Sequence, residues 1–359
     1  MKNIYNGTVV TCRVRLARNL SGYNFASTLT DRAKAKEIIN RTYSLISRFG
    51  QFDLYEMSKI SPQVAERLKE RYIISEALKK NTFSGAVAVE KSERLSVMIN
   101  EEDHVREQCV LRGEDLVTAY NKLFPLDRWL NNNLRFCKNP SYGYITACPT
   151  NLGTGLRASA MMFLPTLARN DMINNLYSKA TQRGLTVRGV FGEGSNGESC
   201  LYQVSNEVTL GKKEEDIIKE VQHYVEEVAD IEQVNALSYY NQNKLKVEDD
   251  CYRSLAILTG CKLLSYKEFA TLIANVKWGA CLNLIKISDF MAIDDLIISV
   301  RPATLRSAIQ DYKSGDNRVI DGFMSENNAK INGDENARKL LVEGFRAEYV
   351  KNSLKKIIL

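Results

Sequence analysis

The stretch Cys148–Ser159 most constrains the fold, because it must be a loop between two apolar runs. The apolar, aromatic run Tyr142–Ala147 precedes it and predicts a strand that ends at the following proline. Gly153 and Gly155 then mark positions where the backbone can turn sharply or approach a ligand closely. Backbone N–H groups of such a loop, together with the guanidinium of Arg157, can bind an anion. On spacing alone, an ordinary glycine-rich turn with a surface arginine is an equal alternative.

The composition is that of an ordinary folded, soluble protein, with 44% hydrophobic and 26% charged residues. Its 359 residues are enough for two domains. Lys and Arg total 49 against 43 Asp and Glu, and the resulting charge of +6 is spread along the chain. No zinc-knuckle spacing, basic helix or aromatic-basic repeat is present, so nucleic acid is not an expected partner.

The cysteine pattern and the hydropathy predict a reduced, cytoplasmic protein. None of the eight cysteines forms a CxxC pair, which argues against a zinc site and against a disulfide framework. No apolar run approaches the roughly 20 residues of a membrane span. The N-terminus lacks the apolar core of a signal peptide. We therefore expect neither a membrane nor a resident metal.

Residues 8–15 are rich in β-formers and predict a strand that carries Arg13 and Arg15 on one face, with Cys12 on the other. Arg18 follows three residues later. A solvated sheet edge would explain these arginines, but two on one face of an apolar strand better suit a ligand with several anionic groups, such as a polyphosphate.

A second cluster follows a predicted antiparallel hairpin, residues 85–89 and 95–99. Its second strand ends in three consecutive acids that include Glu102, followed by His104 and Arg106. Catalytic side chains often lie where strands end. An acidic helix start or a metal cluster are the alternatives.

A third cluster combines Arg188, on a predicted strand, with Glu193 in the glycine-rich loop that follows. A flexible β-connection with a solvated glutamate is the alternative. Helices are predicted for 30–49, 62–72, 113–133, 167–183 and 215–231, and a largely helical pattern follows residue 251. The polar segment 235–250 places the boundary between a domain of residues 1–240 and a helical domain of residues 241–359.

Together these clusters form one chemical set. Five arginines and two glutamates lie on strand ends or glycine loops: Arg13, Arg15, Arg106, Arg157, Arg188, Glu102 and Glu193. Phosphoryl transfer needs cations around the phosphate oxygens and exact placement of donor and acceptor. Paired carboxylates suggest a cationic acceptor, since a guanidinium presents a planar fork to a carboxylate.

At these positions the chain resembles the phosphagen (guanidino) kinase family. Four motifs match in order: Arg13-Val14-Arg15 with Arg18, Asn100–His104, Cys148–Arg157, and Arg188–Gly194. The resemblance implies an α+β fold, an antiparallel sheet flanked by helices, followed here by a smaller all-helical domain. It implies that the five arginines hold the phosphates of ATP with Mg²⁺, that Glu102 and Glu193 hold the guanidinium, and that Cys148 lies beside it.

Within the family, kinases of small guanidino compounds carry a helical domain before the catalytic domain, whereas here the first phosphate-binding arginine is Arg13 and a helical region follows. That layout resembles the McsB-type bacterial protein arginine kinases, which phosphorylate arginine side chains in proteins. The resemblance implies a role in stress response and protein quality control, with an McsA-type activator, a ClpC-type protease chaperone and a homodimer as candidate partners. A small-molecule guanidino kinase and a weakly active phosphoarginine-binding adaptor are the alternatives.

Several positions depart from the family pattern. Two histidines that commonly line the family's adenine site are replaced by Tyr72 and Met161. The segment Gly333–Arg338 keeps the aspartate of a phosphoarginine-reading motif but neither arginine, so we do not expect that function. Surrounding cations are expected to keep Glu102 and Glu193 ionised. Cys148 is expected to place the substrate and not to act as a covalent nucleophile, and His104 is expected to be structural.

Overall fold

The computed structural model describes residues 7–113, 115–189, 199–312 and 335–359. Within them, eight strands form one sheet in the order β2-β3-β4-β5-β1-β8-β10-β9, and every neighbouring pair is antiparallel. These strands are β1 Val9–Arg18, β2 Phe52–Glu56, β3 Ala86–Glu90, β4 Leu95–Ile99, β5 Val105–Arg112, β8 Leu156–Phe163, β9 Leu185–Gly189 and β10 Leu201–Asn206. The predicted α+β class with an antiparallel sheet is confirmed.

The predicted strand Tyr142–Ala147 is wrong in extent. Only Gly143–Tyr144 (β7) is a strand, paired with Lys138–Asn139 (β6) in a separate two-stranded ribbon. The N–H of Tyr144 donates to the carbonyl of Gly153, and the N–H of Ala147 donates to the Asp103 carboxylate. Because loop and side-chain acceptors satisfy this backbone, the apolar run does not need a longer ladder.

The helices are α1 Arg32–Phe49, α2 Pro62–Glu70, α3 Glu76–Lys80, α4 Leu116–Asn133, α5 Pro165–Arg169, α6 Ile173–Gln182, α7 Glu214–Gln242, α8 Lys244–Gly260, α9 Tyr266–Cys281, α10 Phe290–Ser299, α11 Pro302–Tyr312 and α12 Glu335–Ile357. The helix predicted over 167–183 is two helices, and the helix predicted to end at 231 continues to Gln242. A domain boundary near residue 240 stays a prediction, and α7 runs through it. No helix among the described residues is long and apolar enough to cross a bilayer.

One face of the sheet is closed by an apolar core. Alternate strand residues such as Val14 and Leu16 point into this core, where they join Ile38 of α1, Leu126 of α4 and Val225 of α7. Cys12 also lies in this core, facing away from Arg13 as its position in the alternation predicts. Truncating such a leucine or isoleucine to alanine costs about 2–5 kcal/mol, so this layer holds the strands in register.

In the part of the chain that the structure describes, the opposite face is covered only at its ends. At one end α2 and α3 pack Leu68 and Leu78 against Val87 and Met98. Elsewhere on the face, a second core joins Phe163 and other strand residues to the helices that follow residue 240. Between these two cores, the middle of the face carries polar and charged side chains, and the candidate site lies there.

Candidate phosphoryl-transfer site

Four strands carry the predicted arginines to this one face. Arg13 and Arg15 alternate along β1, and Arg15 lies directly opposite Arg157 of β8. On the other side of β1, Arg106 of β5 is two residues from Gln108, the partner of Arg15. We call Arg13, Arg15, Arg106 and Arg157 the arginine row.

Arg188 lies farther out on the same face. It pairs with Gln203 of β10, and Gln203 pairs in turn with Met161 of β8. Its side chain is exposed. The charge of Arg188 is still close enough to help lower the pKa of Arg157. The structure thus brings all five predicted arginines to one face.

Like charges and burial make the row electrostatically unfavourable without a ligand. Burial, and then the charge of Arg106, lower the pKa of Arg13 to about 10. Burial and the neighbouring arginines, Arg13 first, lower the pKa of Arg15 well below its usual range. Burial and then Arg188 and Arg106 lower the pKa of Arg157. A bound polyanion would relieve this repulsion, since an opposite charge nearby favours the charged form.

Among the described residues, few protein acceptors lie within hydrogen-bond distance of the arginine row. Arg13 Nη2 donates to Gln203 Oε1 at 3.1 Å, and Arg157 Nη2 donates to Ser205 Oγ at 3.2 Å. The Nε atoms of Arg15 and Arg157 are buried without a hydrogen-bond partner among the described residues. Buried donors left without a partner are costly, so these atoms indicate a place for ligand oxygens.

Arg106 is the exception, because it forms an ion pair with Glu101. Arg106 Nη1 lies 2.6 Å from Glu101 Oε2, and Ser75 Oγ donates to the other carboxylate oxygen at 2.5 Å. Burial would raise the pKa of Glu101, but Arg106, Ser75 and the Glu102 N–H together lower it. Sequence reasoning missed Glu101, since three consecutive acids do not reveal which one turns inward.

The acidic segment is a tight turn between β4 and β5, so the helix-start alternative is wrong. Asn100 opens the turn at φ 56° and is buried, its amide donating to the carbonyls of Ala35 and Ser84. Asp103 accepts from Asn19 Nδ2 at 2.6 Å and from the Ala147 N–H at 2.7 Å. The turn is thereby fastened to the start of the Cys148 loop.

His104 is a structural residue, as predicted. Its Nδ1 accepts from the Leu20 N–H at 3.1 Å, so Nε2 carries the proton and donates to the Asn24 carbonyl at 2.8 Å. Burial lowers its pKa, and the ring is fully buried. Both ring nitrogens are committed to backbone, which leaves neither to act as a base.

Glu102 and Cys148 come together beside the row. The Cys148 side chain is close enough to the Glu102 carboxyl to act to lower its pKa, and Cys148 Sγ lies 3.0 Å from Thr150 Oγ1. Burial and then the charge of Asp103 raise the pKa of Glu102, outweighing Arg106. Arg106 therefore does not set the direction of this shift, and the ionised state expected for this carboxyl stays a prediction.

The Cys148–Arg157 loop is closely packed. At Gly153 and Gly155, with φ of +107° and +65°, a Cβ would lie 2.8 Å from the Thr209 carbonyl oxygen and 2.5 Å from that of Ala17. Thr209 Oγ1 donates to the carbonyls of Thr150 and Leu152. The glycines serve close backbone packing here, which the sequence did not distinguish from ligand contact.

Arg18 belongs to the other side of the sheet. It is fully buried, pairs with Asp127 at 2.9 Å and Glu214 at 3.2 Å, and donates to the Thr154 carbonyl at 2.7 Å. Its guanidinium also lies 3.6 Å from the ring centre of Tyr144. The segments that meet here are far apart in sequence, so no local pattern could have predicted this network.

Two predicted features lie outside the described residues. One is Glu193, and the other is the segment Gly333–Arg338, of which only the helical backbone of residues 335–338 is described. Among the residues that the structure describes, no group of three His, Cys, Asp or Glu could hold a metal ion. Polar residues that sequence reasoning missed, such as Gln203 and Ser205, occupy alternate positions of an apolar strand. The alternation of polar and apolar residues in this strand is the sequence signal that could have identified them.

Two family models match the chain. Residues 34–235 match the ATP:guanido phosphotransferase C-terminal catalytic domain, and residues 244–319 match the protein-arginine kinase McsB C-terminal domain.

Relatives match over most of their length. The chain is 36% identical to a protein-arginine kinase of Clostridium tetani over 350 residues, which is 98% of this chain and 96% of that one. It is also 36% identical over 315 residues to a protein-arginine kinase of Geobacillus stearothermophilus, covering 86% and 85% of the two chains.

Solved structures share the fold of the catalytic part. The duplicated taurocyamine kinase of Schistosoma mansoni matches with a TM-score of 0.57 and 28% identity, over 64% of this chain and 34% of that one. A lombricine kinase matches with a TM-score of 0.56 and 22% identity, over 64% and 67%, and shows the fold alone. The chain therefore belongs to the ATP:guanido phosphotransferase family, with the C-terminal domain of its protein-arginine kinase branch.

Proposed function

We propose that this protein is an arginine kinase acting on proteins, which transfers the γ-phosphoryl group of ATP to arginine side chains. The observation that carries the proposal is the arginine row, which lies beside Glu102 and Cys148 on one open face of the sheet. The relatives over nearly the whole chain are named protein-arginine kinases, which favours a protein acceptor.

The row and Arg188 would hold the phosphates. The buried Nε donors of Arg15 and Arg157 point to the most enclosed phosphate oxygens, and Arg106 is oriented by Glu101 toward the acceptor end. Preorganised cations of this kind stabilise the charge that develops on the transferred group. Since the described residues offer no metal-ligand cluster, Mg²⁺ would be held by phosphates and waters and would neutralise phosphate charge.

Glu102 would receive the acceptor guanidinium, with Glu193 as its proposed partner and Cys148 alongside. One guanidinium nitrogen forms a bond to the γ-phosphorus while the bond from that phosphorus to the β,γ-bridging oxygen breaks, leaving ADP. The nitrogen loses a proton, and the Glu102 carboxylate accepts it. Because the guanidinium pKa exceeds about 12, alignment comes first and the proton leaves late. The raised pKa of Glu102 makes this carboxylate a better base than an ordinary glutamate.

Its cellular setting follows from the family relationship alone. We propose a cytoplasmic enzyme of the stress response and protein quality control, with an McsA-type activator, a ClpC-type protease chaperone and homodimer formation as candidate associations. We also propose a boundary near residue 240, with the catalytic domain before it and the helical domain after it.

The test is incubation with Mg-ATP and either an unfolded protein or free arginine. We expect acid-labile phosphate on protein arginines, mapped by mass spectrometry under neutral conditions, and no product from the Glu102→Gln control. Product on free arginine only would replace this proposal with a small-molecule guanidino kinase. Absence of both products with intact nucleotide binding would leave a phosphoarginine-binding adaptor.

A further inference from the structure

Tyr72 lies across the far end of the arginine row. Its carbonyl accepts from Gln108 Nε2 on β5 at 2.8 Å, and its hydroxyl lies 4.0 Å from Met161 Sδ on β8. Since β1 runs between β5 and β8, the Tyr72 side chain spans the strand that carries Arg13. Its backbone has φ +61°, a strained conformation for a bulky residue that persists only where surrounding contacts hold it.

The two ends of the arginine row have different neighbours, which orients a bound nucleotide. Arg106, paired with Glu101, and Arg157, at the end of the Cys148 loop, lie beside the acceptor residues and mark the γ-phosphate end. Arg13 lies farther from them along β1. A nucleotide whose phosphates follow the row must continue beyond Arg13, where it meets the ring of Tyr72 and the thioether of Met161. Aromatic and thioether surfaces suit a planar base.

The helical domain holds this tyrosine. Arg301, immediately before α11, is 6% exposed, and its guanidinium carbon lies 4.6 Å from the centre of the Tyr72 ring. Arg301 Nη2 donates to the Tyr72 hydroxyl at 2.5 Å, and Nη1 donates to the carbonyl of Glu70. Arg301 therefore holds both the aromatic ring and the hydroxyl group of Tyr72 in place.

A second contact fastens the same segment. The Glu70 carboxylate accepts from the N–H groups of Ala303 at 2.9 Å and Thr304 at 2.7 Å, and from Thr304 Oγ1 at 2.8 Å. These donors are at the N-terminus of α11, where a carboxylate is favoured. Glu70 thus binds the helical domain, and Tyr72, two residues later, reaches the sheet.

We propose that Arg301 is a positioning residue for the nucleotide, supplied by the helical domain, which sets the Tyr72 ring against the base of ATP. The inference rests on the proposed function and adds to it a route by which the helical domain controls nucleotide affinity. Arg301 contacts no reacting atom, so its effect falls on the KM for ATP and not on the chemical step.

The test compares Arg301→Gln, Tyr72→Phe and the double variant in steady-state kinetics. We expect each single variant to raise the KM for ATP by about 5- to 10-fold, because a cation–π contact and a hydrogen bond to the ring are lost or weakened. We expect kcat to change less than about 2-fold, and the double variant to be no worse than the poorer single variant. Tyr72→Phe keeps the ring and removes only the hydroxyl, so it remains informative if Arg301→Gln folds poorly.

The matched control is Arg169→Gln. Arg169 also joins the catalytic part to the helical domain through a ring and a hydrogen bond, since its guanidinium carbon lies 4.1 Å from the centre of the Trp278 ring and its Nη2 donates to Asn275 Oδ1 at 2.7 Å. This control should lower the melting temperature and leave the KM for ATP unchanged, because both partners lie on α9. An unchanged KM in folded Arg301→Gln and in Tyr72→Phe, or an equal rise in the control, would overturn the inference. If the wild-type protein phosphorylates no guanidinium, the proposed function fails, and calorimetric Mg-ATP affinities of the same variants still decide the role of Arg301.

Discussion

Arg15 and Arg18 lie three residues apart on one strand and face opposite sides of the sheet. Arg18 has Asp127, Glu214, a backbone carbonyl and a tyrosine ring around it. Burial alone would lower its pKa, but Asp127, followed by Tyr144, Glu107 and Glu214, raises it. Arg15 has a buried Nε without a partner among the described residues, and burial and like charges lower its pKa. The comparison teaches that one residue type serves stability where its partners are protein groups and ligand binding where its partners are missing.

The largest expected effect is on the stability of the core face of the sheet, where Arg18 has its protein partners. Arg18→Met leaves the buried Asp127 and the half-buried Glu214 without their cation, so we expect the free energy of unfolding to fall by about 3–5 kcal/mol. Urea denaturation of the ligand-free protein measures this. A loss below about 1 kcal/mol would show that the two faces do not differ as described.

Arg15→Met should show the opposite pattern. We expect kcat/KM for ATP to fall by about 10²- to 10³-fold, as for removal of one preorganised charge donor. The ligand-free protein should be no less stable than wild type, because a half-buried charge surrounded by like charges is removed. Kinetics and denaturation of the same preparation decide, and a destabilised but active variant would break the comparison.

Within the arginine row, Arg106 differs from the other members because it is the one that has a protein counter-ion, Glu101, among the described residues. Glu101→Gln weakens that ion pair, and we expect an activity loss of about tenfold from misplacement of Arg106. The control is Asp249→Asn, which removes a partner from the solvent-exposed Arg253 of α8 and should leave activity unchanged. Equal effects of the two substitutions would mean that Glu101 does not orient Arg106.

The smallest expected effect is on pH dependence. Because burial and Asp103 raise the pKa of Glu102, kcat/KM for the acceptor should fall with decreasing pH at a value above that of an ordinary glutamate. A raised folded-state pKa also means that this group's stabilisation is present at low pH and lost as pH rises through that pKa.

Asp103→Asn removes the like charge while keeping an acceptor for Asn19 and Ala147, so both transitions should move to lower pH. pH–rate profiles and melting curves of this variant test the assignment. Transitions that stay in place would exclude Asp103 as a cause.

Much of the site could be predicted from local sequence patterns, and the remainder depends on pairing between strands that are distant in the sequence. Alternation along β1 places Arg13 and Arg15 on one face and Cys12 on the other, which the structure shows. The register that sets Arg15 opposite Arg157 joins strands about 140 residues apart, which no local pattern specifies.

The failures have physical causes as well. Tyr142–Ala147 was predicted as a strand from its apolar side chains, but loop carbonyls and the Asp103 carboxylate take its hydrogen bonds. The pKa of Glu102 is raised chiefly by burial and then by the charge of Asp103, and its burial is visible only in three dimensions.

The central claim is that the arginine row has too few protein counter-ions among the described residues and that the phosphates of a nucleotide supply the missing negative charge. Melting temperatures of wild type and Arg15→Met, each with and without the same concentration of Mg-ATP, test it most directly. A ligand that binds the native state stabilises it by an amount that rises with the logarithm of its concentration divided by Kd. We predict that ligand-free Arg15→Met melts at or above the wild-type temperature and loses most of the Mg-ATP-induced rise. A lower ligand-free melting temperature with an intact Mg-ATP-induced rise would contradict the account.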